Sequence, residues 1–411
     1  MPCPCEMSIT RRALLGTAGA LFAWSFVPRF AHAAGVRDTR FVAVVLRGAL
    51  DGLSAVAPVA DPDYEALRET IAISRDGPNP ALPLDGFFAL HPAMPTFGRL
   101  YKVGQALVVH AVATGYRERS HFDGQDVLES GQPGPGRIES GWLNRVITAL
   151  PAGERAKGAG AVLGVGPVAP LIVRGPAPLT GWAPPVVPRA GADLAARVLD
   201  LYSQRDPDLA RSLAQGLEID RLTPIEGMPR NPASRSGADN GAGIRQLAEG
   251  AARLLAADDG PRIAAVAFEG WDTHANEGGA TGRLAQLFAG LDGAFAAFES
   301  GLGERWEDTV ILVMTEFGRT VRVNGTVGTD HGTGTVAFLL GGAVKGGRVV
   351  ADWPGLKPGQ LLEQRDLKPT LDLRAVAKGV LADLFGLTAN VLGRDVFPET
   401  QRLKPIHGLV A

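Results

Sequence analysis

The chain has 411 residues, 45% hydrophobic and 20% charged, with a net charge of −2. That length and apolar content supply a sizeable core and exclude a wholly disordered chain. Lys+Arg 41 against Asp+Glu 43 excludes the basic excess of a nucleic-acid binder, and 6% aromatics is sparse for a carbohydrate-stacking surface.

Residues 1–33 read as an export signal. Ser8, Arg11 and Arg12 precede an apolar stretch from Ala13 to Val27, and Ala31-His32-Ala33 is a small-x-small cleavage site. Paired arginines ahead of a moderately apolar run match the twin-arginine type. The expected partner is therefore the twin-arginine translocation machinery and the destination the periplasm. A Sec-type signal or a retained anchor is the competing reading, but the apolar stretch is short for a membrane span, which takes about 20 residues. Cys3 and Cys5 are the only cysteines and leave with the signal. The mature chain then has no disulfide, thiolate site or formylglycine made from cysteine.

Beyond residue 34, short apolar runs alternate with helical patterns. Phe41–Leu46, Ala106–Ala111, Ile263–Phe268, Val310–Met314 and Val336–Leu340 are almost wholly apolar, as parallel strands covered on both faces must be. Leu284, Leu287, Phe288, Leu291, Phe295 and Phe298 recur at helical spacing. Ile244 to Leu255 and Leu373 to Leu384 do the same. Strands separated by helices predict an α/β domain with a mainly parallel sheet. Residues 166–192, rich in Pro and Gly, read as a surface excursion, residues 193–219 as a helical cap, and 221–242 as a polar linker.

Polar residues collect where these runs end. They give Arg47-Gly48-Ala49-Leu50-Asp51-Gly52, then Arg117 to Asp123 around Ser120-His121, then Trp271-Asp272-Thr273-His274-Ala275-Asn276. Thr315-Glu316-Phe317-Gly318-Arg319-Thr320 follows, and Gly328-Thr329-Asp330-His331-Gly332 precedes the last apolar run. The carboxyl ends of parallel strands share one edge, where ligands bind. Clustered Asp, Glu and His without Cys form a ligand set for a divalent cation, Mn²⁺, Mg²⁺, Ca²⁺ or Zn²⁺. Each element also has a plainer reading. Asp51-Gly52 is a turn signal, Ser120 a helix N-cap, Asp272-x-His274 a surface turn, and Glu316 with Arg319 a strand-end ion pair. His110, within an apolar run, reads as a core histidine, and His91 and His407 as structural.

With these segments together, the chain resembles the exported bacterial family called domain of unknown function 1501. The resemblance rests on RGALDGLSAVAP, LDGFFALHPAM, ERSHFDGQDVLESG, GWLNR, GWDTHAN, TEFGRTVRVNG, GTDHGTG and LLGGAVKGGRV, in that order. That family is grouped with the alkaline-phosphatase-like hydrolases, which include phosphatases and sulfatases. The resemblance implies a three-layer α/β/α sandwich over residues 34–411, with an insertion around 166–242. It implies one or two metal ions held by Asp51, Asp272, His274, Glu316, Asp330 and His331. It makes Ser120 the nucleophile, with His121 beside it and Arg319 on a non-bridging oxygen of an anionic phosphate or sulfate ester, small or polymeric. The sequence departs from the superfamily in three respects. Asp272 and His274 are unusually close, Phe317 stands where a ligand is common, and Ser120 lies outside any Ser-x-Pro-x-Arg motif. A non-catalytic exported binding protein that keeps a structural or degenerate metal site is the alternative.

Overall fold

Each of the five apolar runs forms a strand of one sheet. In the computed structural model, residues 38–136, 140–151, 162–184, 192–222 and 241–411 are described. The export signal, both cysteines and most of the 221–242 linker lie outside them. The strands, in chain order, are β1 (Arg40–Leu46), β2 (Val56–Ala57), β3 (Leu82–Pro83), β4 (Ala89–Leu90), β5 (Ala106–Ala113) and β6 (Val162–Val165). Then come β7 (Leu179–Trp182), β8 (Ile263–Phe268), β9 (Thr309–Thr315), β10 (Thr335–Leu340), β11 (Val349–Val350) and β12 (Leu371–Asp372). The main sheet runs β11-β5-β10-β9-β1-β8-β6-β7, with β12 also on β5; β2, β4 and β3 form a small second sheet.

β1 shows why these runs are continuously apolar. Val42, Val44 and Leu46 pack with the helices Pro95–Lys102, Gly241–Ala256 and Arg283–Leu302. Phe41, Ala43 and Val45 point the other way, onto the helices Trp142–Ala149 and Leu373–Phe385. Alternate side chains feed two cores, giving helix, sheet and helix layers. Every β1 residue is fully buried, so each large apolar side chain contributes roughly 1.5–3 kcal/mol.

The structure corrects the sequence reading at three places. β1 is parallel to β8 and β9, but β10 is antiparallel to both β9 and β5. An all-apolar run reports burial on both faces, not strand direction. The reversal matters for the site, because the start of β10 lies at the edge where its neighbours end. The Pro- and Gly-rich stretch from 166 contains β7, which pairs with β6 in parallel at the end of the sheet. Its four-residue length hid it from periodicity. The helical piece around 193–219 is two helices, Ala192–Arg205 and Pro207–Leu222. Pro207 cannot donate to a continuing helix, and Asp206 caps the second one by accepting from Asp208 N and Leu209 N at 3.1 Å. No helix among the described residues is long and apolar enough to cross a membrane.

Candidate metal centre

Four segments meet at the shared sheet edge. The loop after β5 leads into the helix His121–Ser130, the loop after β8 carries Asp272 and His274, and the segment after β9 carries Glu316 and Arg319. The approach to β10 carries His331. It is held against the β9 segment by Gly318 N donating to Thr333 O at 2.9 Å, Gly332 N to Gly318 O at 2.8 Å, and Thr320 N to Asp330 O at 2.9 Å. This ladder sets Arg319 directly opposite His331.

Three imidazoles and a carboxylate converge there. His331 Nε2 lies 2.9 Å from His121 Nε2 and 3.0 Å from His274 Nε2. Asp272 Oδ1 lies 3.0 Å from His274 Nε2, 3.4 Å from His331 Nε2 and 3.5 Å from His121 Nε2. Ligands bonded to a tetrahedral ion at about 2.0–2.1 Å stand about 3.3 Å apart, so these separations suit a shared cation.

The opposite ring nitrogens settle the tautomers. His121 Nδ1 faces Glu316 Oε1 at 2.8 Å, His331 Nδ1 faces the Arg119 carbonyl at 3.0 Å, and His274 Nδ1 faces Asp330 Oδ1 at 3.3 Å. Carbonyl and carboxylate oxygens only accept, so each Nδ1 carries the proton and each Nε2 presents a lone pair to the centre. Lone pairs facing one another at 2.9–3.0 Å repel unless a cation lies among them. The residues therefore fit a bound divalent ion.

In the metal-free protein a proton serves as that cation. His121 is pushed up to about 9, first by its bond to Asp272 and then by that to Glu316, against partial burial. Partial burial opposes ionisation of Asp272. The bond from protonated His121, the contact with the His331 ring and the charge of Arg319 outweigh it and hold Asp272 well below the usual carboxylate range. Metal must displace the His121 proton, so its affinity should climb by up to about tenfold per pH unit and level off above the His121 value. Without metal the sign reverses. The raised value stabilises the fold below the ordinary histidine range and is lost as pH rises through about 9. Metal titrations and melting curves from pH 6 to about 10 would check both signs; a flat affinity profile contradicts the reading.

Outer contacts hold the rings. Glu316 is buried. Its Oε1 accepts from Gly48 N at 2.8 Å and Gln125 Nε2 at 3.2 Å as well as from His121, and its Oε2 from Thr315 Oγ1 at 2.9 Å. Phe317, at the position where the resemblance leads one to expect a ligand, stacks on His121 with centroids 5.0 Å apart and packs against His331 at 5.3 Å. Arg119 has a left-handed φ of 59°, a costly conformation for a non-glycine residue. Its Nε donates to buried Asp366 at 2.8 Å, which also accepts from Thr333 Oγ1 at 2.8 Å.

Gly48 permits a close approach of two backbone segments at the site. Its φ is +121°, and a Cβ there would sit 2.4 Å from Asp272 N. Gly48→Ala should destabilise the fold by roughly 1–3 kcal/mol and weaken metal binding by moving Asp272. Unchanged melting and unchanged metal affinity would contradict this.

Of the six positions implied as metal ligands, Asp272, His274 and His331 converge, and His121 joins them. Glu316 and Asp330 stand one bond behind, spent on ring Nδ1 protons. Asp51 is not at the centre. It is buried, its Oδ1 caps Leu53 N and Ser54 N, and its Oδ2 pairs with Arg68. Ser120 precedes the helix at its N-cap, where its side chain makes no capping bond. Arg319 is 1% exposed. One of its terminal nitrogens lies 2.9 Å from Asp272 Oδ1, yet none of the three guanidinium nitrogens makes an aligned hydrogen bond among the described residues. His91 and His110 are core residues bonded through Nε2 to the Gly279 and Val56 carbonyls, and His407 pairs with Asp383. Sequence reasoning missed Arg68, whose short helix carries no motif. It also missed Glu277, which directly follows GWDTHAN and was within reach of that stretch.

The family model described as "Protein of unknown function (DUF1501)" matches residues 38–396. The chain belongs to this family. No curated protein matches. Among solved structures, one titled Ps i-CgsB in complex with k-i-k-neocarrahexaose aligns with TM-score 0.43 and 10% identity, over 90% of this chain and 75% of that one. The phosphonate monoester hydrolase of Agrobacterium radiobacter aligns with TM-score 0.32 and 13% identity, over 76% of this chain and 70% of that one.

Proposed function

We propose that this DUF1501 protein is a metal-dependent hydrolase of phosphate or sulfate esters, working in the periplasm after twin-arginine export. One observation carries the reading: three imidazoles, locked with their Nε2 lone pairs inward, meet Asp272 beside a buried guanidinium whose donors are unspent. His121, Asp272, His274 and His331 would hold the ion, which when bound supplies positive charge for the transferring group and acidifies an oxygen next to it.

The chain's own groups supply the rest. Arg319 offers aligned donors to two oxygens of a tetrahedral anion. Ser120 begins the ten-residue helix His121–Ser130, whose first N–H groups and dipole favour developing negative charge at that spot. Its hydroxyl oxygen would form the bond to phosphorus or sulfur as its proton passes through solvent to the departing ester oxygen, and water would then attack the seryl ester, releasing phosphate or sulfate and restoring the hydroxyl. Glu316 and Asp330 hold the rings in register throughout.

A structural clasp is the weaker reading. Closed structural sites bury their ligands, whereas Asp272 and His274 are 43% and 45% exposed, as an open coordination position requires. Ser120→Ala should abolish turnover, by more than about 10³-fold, in a screen of phosphate and sulfate esters, while metal content by mass spectrometry stays at the wild-type value. Full activity in Ser120→Ala would remove the nucleophile assignment. No metal, even after loading with Mn²⁺ or Zn²⁺, would remove the hydrolase reading.

A further inference from the structure

Behind the centre lies a second cluster that the reaction does not use. Arg68 is fully buried on the short helix Tyr64–Arg68, and Asp51, Ser54 and Glu277 around it are no more than 1% exposed. One terminal nitrogen of Arg68 pairs with Asp51 Oδ2 and donates to Ser54 Oγ at 2.8 Å. The other donates to the carbonyls of Thr320 and Val321, both at 3.2 Å. Ser54 Oγ itself donates to Asp51 Oδ2 at 2.8 Å. Glu277 completes the cage. Its Oε2 accepts from Thr329 Oγ1 at 2.8 Å, and it feels the charges of both Asp51 and Arg68. Burial and the adjacent Asp51 charge raise the Glu277 carboxyl well above its ordinary value.

We propose that Arg68 is a built-in cation: its guanidinium fills an all-oxygen cage of Asp51, Ser54, Glu277 and two carbonyls, so the protein takes one metal ion instead of two. Two carboxyls, a hydroxyl and backbone carbonyls are the donor set of a hard divalent ion. Here the charge comes from inside the chain. The same guanidinium is a positioning group for the centre. Thr320 and Val321 follow Arg319 directly, Glu277 lies three residues beyond His274, and Thr329 lies two before His331. The cage thus ties the ends of the loops that carry the converging side chains. The inference rests on the metal-centre reading above, and its test separates the two.

The test is metal stoichiometry by mass spectrometry after equilibrium dialysis against Mn²⁺ or Zn²⁺, for wild type, Asp51→Asn and Arg68→Ala. One equivalent in the wild type, kept in Asp51→Asn, is the expected result. Arg68→Ala should bind metal at least tenfold more weakly. Millimolar guanidinium chloride should restore both its affinity and its melting temperature, whereas equal urea, the same shape without charge, should restore neither. Two equivalents in the wild type, falling to one in Asp51→Asn, would place an ion in the cage and overturn the inference. A folded Arg68→Ala that guanidinium leaves unchanged would also overturn it. If Arg68→Ala does not fold, the Asp51→Asn stoichiometry decides alone. No metal in any protein, with guanidinium rescue of melting intact, would remove the hydrolase reading and leave the internal cation standing.

Discussion

His331→Ala should abolish metal binding at the centre and, with it, the proposed metal-dependent activity. His331 Nε2 is within 3.4 Å of Asp272 Oδ1, His121 Nε2 and His274 Nε2, so its loss opens the cluster from the middle. A four-ligand site worth about 10–16 kcal/mol loses roughly 3 kcal/mol with one ligand, more than a hundredfold in affinity. Asp330→Ala removes only the acceptor behind His274 and should cost about 10–100-fold. The metal-free fold should change little with His331→Ala, within about 1 kcal/mol, because the ring is partly exposed. A chelator makes the distinction measurable. Bound metal stabilises the native state by mass action, so chelation should lower the melting temperature of wild type and leave His331→Ala unmoved. Equal chelator sensitivity in the two proteins would place the ion elsewhere.

Much of this arrangement was legible in the sequence because strand burial leaves strong local marks. Ile263–Phe268 is the apolar run itself, and β1, β5, β9 and β10 exceed their runs by one or two residues. Placing polar residues at the ends of these runs was enough to bring Asp272, His274 and His331 together. What sequence could not supply was the division between groups that face the centre and groups that stand behind it. Glu316 and Asp330 differ from Asp272 only in which donors surround them, and those donors come from Gly48, Gln125 and Asn324. Asp51 looked like a ligand because it follows the first strand. Its true partner, Arg68, is 17 residues away on a helix of five residues. His121 was placed beside the nucleophile, yet its ring turns onto Glu316. The reversal of β10 was invisible for the same reason: burial leaves a pattern in the sequence, but direction and pairing do not.

Arg319→Met should destroy the activity of the protein while changing its stability little, and the separation of the two effects is the point of the experiment. The guanidinium is almost wholly buried and spends none of its nitrogens on an aligned hydrogen bond among the described residues. Desolvated donors without aligned acceptors are costly, so removing them offsets the loss of the ion pair with Asp272 Oδ1 at 2.9 Å, and the net change should stay within about 1–2 kcal/mol. Asp272 is 43% exposed, but the oxygen that faces Arg319 is buried, so this ion pair is the main loss. A tetrahedral anion held at the centre would satisfy the idle donors, most strongly as charge builds in the transition state. Their loss should lower kcat/KM by about 10²–10³-fold. Arg319→Lys should not restore the rate, because a single ammonium cannot contact two oxygens in one plane. Thermal melting of the metal-free protein, set beside ester turnover of the metal-loaded one, reads both effects. A destabilised Arg319→Met that kept full turnover would make Arg319 a scaffold residue. It would also leave the anionic substrate without its recognition group, and the ester-hydrolase reading would have to rest on Ser120 and the metal alone.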